Sequence, residues 1–363
     1  MKERRNFWRG KKVLVTGHTG FKGSWLSAWL CDMGAQVTGI ALEPDTTPAL
    51  FNQLSLQSKL DHHICDIRNG EGVRAIVGET QPDVLFHLAA QPLVIRSYAE
   101  PVETWSTNVM GTANVLSALT QVSNLCAAVV VTTDKVYENL EWEYGYRETD
   151  RLGGHDPYSA SKAATEILCS SWRKSFFESN SAVRLATARA GNVIGGGDWS
   201  ENRIVPDIVR AIAAEQPVNV RNPASTRPWQ HVLDPLNGYL TLAEKLYDSN
   251  DPELQTAFNF GPTAEAQKPV GELVKTSLRH WPGTVEFAPQ SAAHVHEAGK
   301  LALNIERSAA RLGWTPTWGF ELAVRATMDW YRGMTTDSHQ KAEQLTLSQI
   351  KDFENAISAA RAG

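Results

Sequence analysis

The chain has 363 residues, of which 42% are hydrophobic and 21% charged, and a formal net charge of -5. That length exceeds one ordinary domain of roughly 100–200 residues, and the apolar fraction suffices for a sizeable core. The mild acidity argues against a nucleic-acid or anionic-membrane partner, and no stretch approaches the roughly 20 apolar residues of a membrane span.

Short apolar runs alternate with helical patterns through the first half. Val13 to Val15 reads as a buried strand and Trp25 to Met33 as an apolar-rich helix. Gln36 to Ile40, His62 to Asp66 and Val84 to Leu88 read as the next three strands. Trp105, Val109, Ala113 and Leu116 recur at helical spacing within Pro101 to Leu119, with the proline suited to a first turn. Ala127 to Val131 lacks polar alternation, as a strand covered on both faces does. Ser159 to Phe177 reads as a long helix and Val183 to Ala190 as another strand. This alternation predicts an α/β fold: a doubly wound parallel (Rossmann) sheet with right-handed crossovers over residues 1–190. Beyond it, the Gly195–Gly197 loop and Pro206, Pro217, Pro223, Pro228 and Pro235 break the pattern. Residues 191–363 are expected to form mainly a smaller mixed substrate-binding domain, with segments around 220–250 returning to the first sheet.

Cys31, Cys65, Cys126 and Cys169 are widely separated and form no CxxC pair. They suit a reduced chain, and with no apolar leader at the N-terminus a cytoplasmic location is expected. His294-Val295-His296-Glu297 alternates in a metal-like way, but nothing else supports a site, so it reads as a surface segment and no metal is expected.

Gly17-His18-Thr19-Gly20-Phe21-Lys22-Gly23 stands between the first strand and the first helix. Glycines there allow a tight turn and close backbone approach, so a pyrophosphate can lie against the helix N-terminus. No Arg or Lys follows the second strand, where Glu43 stands slightly late, which favours NAD over NADP. Asp66 and Ile67 follow the third strand, where a carboxylate or backbone group can meet the adenine; a plain turn fits equally. Tyr158 and Lys162 lie four apart on one helix and share a face. An ammonium there favours tyrosinate, suiting Tyr158 to act as a base near neutral pH. The strand ending in Thr132 and Thr133 offers a hydroxyl to complete a relay.

The glycine loop, His87-Leu88-Ala89-Ala90, Asn108 and Tyr158-x-x-x-Lys162 together resemble the extended short-chain dehydrogenase/reductase family, in order and spacing, over essentially the whole chain. The resemblance implies bound NAD that oxidises C4 of a nucleotide-sugar, and a hydrogen-bonded triad of Thr133, Tyr158 and Lys162. Leu88, Ala89, Ala90 and Gln91 would line the cofactor, Gln91 also facing substrate, and Asn108 would sit near the nicotinamide. Thr133-Asp134-Lys135-Val136-Tyr137 resembles the 4,6-dehydratases of that family, with Lys135 where the dTDP-glucose branch has Glu. Thr-Asp-Lys is similar both to the CDP-glucose branch and to inverting UDP-N-acetylglucosamine 4,6-dehydratases. Gly195 to Trp199, Arg227 to Pro235 and Gly17 to Leu26 resemble the CDP-glucose branch more closely.

A redox-neutral lyase reaction is implied: oxidation at C4, loss of water across C5 and C6, and hydride return to C6. Asp134 would be the acid, and Lys135 either the base or an electrostatic stabiliser of the enolate; a bare pairing at a strand end is the alternative. By resemblance Arg227 is the foremost pyrophosphate ligand, followed by Asn192 and Arg203, then Arg221 and Asn259, with Arg96 reaching sugar or phosphate. CDP-glucose is the expected substrate, and a homodimer or dimer of dimers the expected assembly. Deoxysugar supply to lipopolysaccharide O-antigen is the expected pathway. A nucleotide-sugar 4-epimerase and a dinucleotide-binding redox sensor are the competing readings.

Overall fold

The computed structural model describes residues 1–178, 182–220, 222–287, 300–334 and 339–362. The apolar runs become β1 (Lys12–Thr16), β2 (Gln36–Ala41), β3 (Asp61–Ile64), β4 (Val84–His87), β5 (Cys126–Val131) and β6 (Val183–Ala190). A further strand, β7 (Ala257–Phe260), joins them. Every pairing is parallel, in the order β7-β6-β5-β4-β1-β2-β3. All six residues of β5 are buried, as a central strand with helices on both faces requires. The sheet reverses direction of winding between β1 and β4, which opens a crevice at the carboxyl ends of those strands.

The helices differ instructively from the sequence pattern. The first runs from Lys2–Trp8 (α1) and locks onto the later part of the chain: Arg4 donates to Asn237 Oδ1 (2.6 Å) and Thr241 Oγ1 (2.7 Å). The helix after β1 (α2, Phe21–Asp32) starts at the glycine loop. The expected helix over 101–119 has three parts, Pro101–Trp105, a wider i→i+5 turn over Ser106–Gly111, and Thr112–Leu119. Such wide turns often mark functional positions, and this one carries Asn108. The helix expected from Ser159 starts earlier, at Pro157 (α3, Pro157–Trp172), because Asp156 caps it by accepting from Ser159 N (2.9 Å) and Ser159 Oγ (2.6 Å). It ends at Trp172, and a wider turn, Arg173–Phe177, follows.

After β6 the chain leaves the sheet and returns through α4 (Leu233–Asp248), which packs under β5 and β6 and leads into β7; three short strand pairs lie outside the sheet, two of them completed by segments after β7. Helices α5 (Phe320–Gly333) and α6 (His339–Ala362) close the structure, α6 lying against α2. There Trp29 Nε1 donates to Glu354 Oε1 (2.9 Å) and Phe353 meets the Trp29 ring edge-on. The tryptophans largely serve this core: Trp8, Trp25, Trp29, Trp314 and Trp330 are fully buried. No helix among the described residues is long and apolar enough to cross a membrane. Arg221 and His294 to Glu297 lie outside the described residues.

Candidate active site

The crevice is floored by the glycine loop. Gly17 holds φ +78°, and a Cβ there would lie 2.7 Å from Ala89 N; a Cβ on Gly23 would lie 2.1 Å from Gly17 O. Only glycine lets strand, loop and helix approach this closely. Gly20 caps α2, so the first-turn N–H groups of Phe21, Lys22 and Gly23 point outward without helical partners. A cradle of N–H donors at the end of a 12-residue helix fits a dinucleotide pyrophosphate.

The side chains of that loop divide between structure and site. His18 is fully buried, its Nε2 paired with His62 Nδ1 (2.7 Å), and burial pushes it down to about 4. Its ring therefore braces the loop beneath Gly39, leaving its backbone for a cofactor. Thr19 Oγ1 donates to Leu42 O (2.9 Å), tying the loop to the end of β2. Lys22 projects toward Arg203, Asp134 and Lys162; burial, then the two cations, bring its ammonium down to about 8 against the support of Asp134. On the adenine side Asp66 is held by Arg68 (2.6 and 2.9 Å), which keeps its carboxyl below the usual range, and Asn114 Nδ2 donates to Ile67 O (3.0 Å). Glu43 is exposed.

The wall of the crevice comes from the loop after β4. His87 is buried between Thr16 Oγ1 (2.6 Å) and Thr112 Oγ1 (2.9 Å), and burial and then Lys162 push it down to about 3, so it stays neutral. Thr16 Oγ1 also accepts from Ala89 N (3.2 Å), fixing the turn through Leu88, Ala89 and Ala90. Asn108 spends its amide on Gln91 N (2.8 Å), Gln91 O (3.2 Å) and Ser161 Oγ (2.9 Å). It thus joins this loop to α3. Gln91 uses its own side chain on Thr104 and Leu93, so it shapes the loop rather than offering a free group.

At the centre, Tyr158, Thr133, Asp134 and Lys162 are all buried and converge. The Tyr158 hydroxyl is hydrogen-bonded to Thr133, and Thr133 Oγ1 donates to Asp134 Oδ1 (2.9 Å) while accepting from Lys135 N (3.3 Å). Lys162 Nζ donates to Val131 O (3.2 Å), and burial lowers it to about 8. The helical spacing suggested that this ammonium would bring Tyr158 down toward neutrality. In the folded chain Tyr158 is instead pushed up to about 12, because burial outweighs Thr133 and the Asp134 carboxylate opposes tyrosinate. Lys135 sits half-buried in the middle of the short turn Asp134–Val136.

The residues expected to hold substrate are scattered in role. Arg203, near Tyr158 and Lys22, is paired with Asp198 (2.9 Å), which raises it. Arg227 is buried and donates to Thr226 O (2.9 Å), on the strand that pairs with Gln267–Pro269. Asn192 is half-buried just after β6. Arg96 is exposed and paired with Glu100 (2.7 Å) and Glu103 (3.5 Å). Asn259 is fully buried, with its side chain on Tyr137 Oη (2.7 Å), Tyr146 O (2.9 Å) and Asn304 O (3.0 Å), so it serves the protein's interior. Sequence reasoning passed over Glu166 and Arg189, a buried ion pair at 2.9 Å directly behind the site. The signal was present: Tyr158, Lys162 and Glu166 repeat every four residues on α3, and Arg189 is a charge inside an apolar strand.

A family model described as GDP-mannose 4,6 dehydratase matches residues 14–327. The chain belongs to that family. Within the 4,6-dehydratase family, it is 46% identical over 359 residues, 98% of each chain, to the CDP-glucose 4,6-dehydratase of Salmonella typhimurium. The dTDP-glucose 4,6-dehydratase of Xanthomonas campestris pv. campestris is 26% identical over 88% of this chain and 92% of its own. Among solved structures, the UDP-glucose 4-epimerase of Thermotoga maritima superposes with a TM-score of 0.75 at 21% identity, covering 88% of this chain and 98% of that one. The dTDP-glucose 4,6-dehydratase of Bacillus anthracis, solved with NAD, gives 0.72 at 21% identity, covering 91% and 99%. At such identities these structures establish the shared fold.

Proposed function

We propose that this chain is an NAD-dependent nucleotide-sugar 4,6-dehydratase that converts CDP-D-glucose into CDP-4-keto-6-deoxy-D-glucose and water. The observation that carries the reading is the juxtaposition of Asp134 and Lys135 with Tyr158 and Lys162, in a chain 46% identical to a CDP-glucose 4,6-dehydratase. A 4-epimerase needs only the oxidising pair; a dehydratase also needs an acid and a base for C5 and C6.

When bound, NAD supplies a reversible two-electron acceptor with a positively charged ring. Tyr158 takes the proton of the sugar 4-hydroxyl, and the Lys162 ammonium stabilises the phenolate. The 4-ketone acidifies the C5 proton, which Lys135 removes, and Asp134 donates to the departing 6-hydroxyl. The two halves assist each other electrostatically: protonating Asp134 removes the negative charge that opposes tyrosinate at Tyr158. Lys22 and the outward N–H groups of α2 would hold the pyrophosphate of NAD, and Arg227, Arg203 and Asn192 the nucleoside diphosphate of the sugar.

The same chain is proposed to work as a homodimer. Val102, Trp105 and Met110 from the helix over 101–119, with Ile167 and Phe176 from α3 and its extension, leave large apolar groups exposed. Two such helices from each copy would cover one another as a four-helix interface.

The deciding experiment is incubation with NAD and CDP-, dTDP-, UDP- or GDP-glucose, or UDP-N-acetylglucosamine, followed by assay for a 4-keto-6-deoxy sugar. Product from CDP-glucose alone supports the reading. Product only from UDP-N-acetylglucosamine keeps the chemistry and overturns the substrate. Inversion at C4 with no keto product overturns the dehydratase.

A further inference from the structure

The Glu166–Arg189 pair grips the catalytic turn at both of its ends. Thr132 immediately precedes Thr133, Asp134 and Lys135; its hydroxyl donates to Glu166 Oε1 (2.5 Å). Tyr137 follows the turn, and Arg189 Nη1 donates to its hydroxyl (2.8 Å) while Arg189 Nη2 donates to Glu166 Oε2 (2.9 Å). Thr187 Oγ1 adds a third bond to the carboxylate (2.7 Å), and the Tyr137 hydroxyl donates to Asn259 Oδ1 (2.7 Å). Glu166 belongs to α3, one turn beyond Lys162 and two beyond Tyr158. The pair therefore touches the helix of the oxidising residues, the strand before the eliminating residues and the aromatic residue after them.

Stability alone does not account for such a pair. Both side chains are almost fully enclosed, at 3% and 4% exposure, and desolvation of two buried charges commonly cancels their attraction, so apolar replacements are often neutral or better. What the charged pair provides, and an apolar one does not, is directional hydrogen bonding to three separate elements.

We propose that Glu166 and Arg189 are positioning residues of the reaction: the pair holds the turn of Asp134 and Lys135 in register with the helix of Tyr158 and Lys162, so that oxidation at C4 and elimination across C5 and C6 act on one seated sugar. This rests on the dehydratase reading. Glu166 has a second effect through Lys162. The charged and titratable groups facing that ammonium are Cys169, Glu166 and Tyr158 on its own helix, His87 on β4 and Lys22 on α2. Burial pushes the Cys169 thiol up and keeps it neutral, so of the groups on its own helix Glu166 is the anion that supports the ammonium.

Tyr137→Phe and Glu166→Gln test this, each against wild type with NAD and CDP-glucose. Tyr137→Phe keeps the ring stacked on Tyr146 and loses only the hydroxyl. It should lower kcat by tenfold to about a hundredfold, the scale of a small misplacement of reacting groups, while changing KM less than about twofold. Elimination should slow more than oxidation, so reduced cofactor should accumulate in the steady state. Glu166→Gln should move the alkaline limb of kcat to lower pH by about one unit, because the ammonium loses an anion that supports its charge. A Tyr137→Phe protein with wild-type kcat and no rise in reduced cofactor overturns the proposal, whether or not Glu166→Gln folds. So does a folded Glu166→Gln protein with an unmoved alkaline limb. If wild type itself forms no 4-keto sugar from any nucleotide-sugar, it is the dehydratase reading that fails, and the two failures are distinct.

Discussion

Replacing Lys162 by Met keeps the length of the side chain and removes its charge, which separates what the site needs from what the fold prefers. Burial lowers Lys162 from the ordinary 10.5 to about 8. Each unit corresponds to about 1.4 kcal/mol, so holding the ammonium inside costs the folded chain about 3 kcal/mol wherever folded and unfolded forms are both protonated. Met loses the bond from Nζ to Val131 O, worth about 1 kcal/mol. The variant should therefore be inactive and more stable by about 2 kcal/mol near neutral pH. The pH dependence has a definite sign. Between about pH 8 and 10.5 the unfolded lysine holds a proton that the folded one has released, so wild-type stability rises with pH there, and the advantage of the variant shrinks. Lys22 repels the same ammonium, so its relief acts in the same direction at neutral pH. Urea unfolding of both proteins at about pH 7 and about pH 9.5 reads the difference directly. A variant less stable than wild type at neutral pH, or a gain that does not shrink with pH, refutes the account of Lys162 as a charge held against its solvation.

Three further outcomes follow from the geometry. Lys135→Ala should still oxidise C4, so reduced cofactor should build up while water loss stops, whereas Tyr158→Phe should stop the reaction before any cofactor is reduced; rapid absorbance measurements distinguish the two. Gly23→Ala places a methyl group 2.1 Å from Gly17 O, a backbone clash of the kind that costs 1 to about 3 kcal/mol, and should weaken NAD binding about tenfold or more by titration calorimetry. Met110→Asp, at a residue 58% exposed, should turn a dimer into a monomer by light scattering; an unchanged mass would place the interface elsewhere.

The sheet was legible because its strands are short, separated by helical spacing and, except for the edge strand β3, apolar, a pattern fixed by burial on both faces. Its seventh strand was not, since Ala257 to Phe260 is only four residues in a region punctuated by prolines. The glycine loop and the Tyr158–Lys162 pair were legible because both are local, within one turn of a helix. What escaped was whatever depends on long-range partners. The direction of the Tyr158 shift was misjudged because spacing reveals the ammonium but not the burial that overrides it. Glu166 and Arg189 are 23 residues apart, on a helix and a strand, and only folding makes them a pair. Asn259 looked like a substrate ligand for the opposite reason: its partners Tyr137, Tyr146 and Asn304 are invisible from its own neighbourhood in the sequence.

The electrostatic balance of the crevice leads to a last expectation. Lys22 lies near Arg203, Asp134 and Lys162, and it sits at about 8 because burial, then Arg203 and Lys162, oppose its charge while Asp134 supports it. A dinucleotide brings a diphosphate to the N-terminus of α2, beside Lys22. An anion there favours the ammonium and raises its pKa, so binding should draw protons from solution. Near pH 8 about half of Lys22 is neutral beforehand, giving uptake of up to about half a proton from this group, and near pH 6 almost none, because it is already charged. Calorimetry of NAD binding in two buffers of different ionisation enthalpy measures this: the binding enthalpy should differ between buffers at the higher pH and coincide at the lower. Lys22→Met should shrink the difference. Equal enthalpies at both values of pH, or an undiminished difference in Lys22→Met, would mean that Lys22 points its charge elsewhere when the dinucleotide is bound and that the pyrophosphate rests on the backbone of the loop alone.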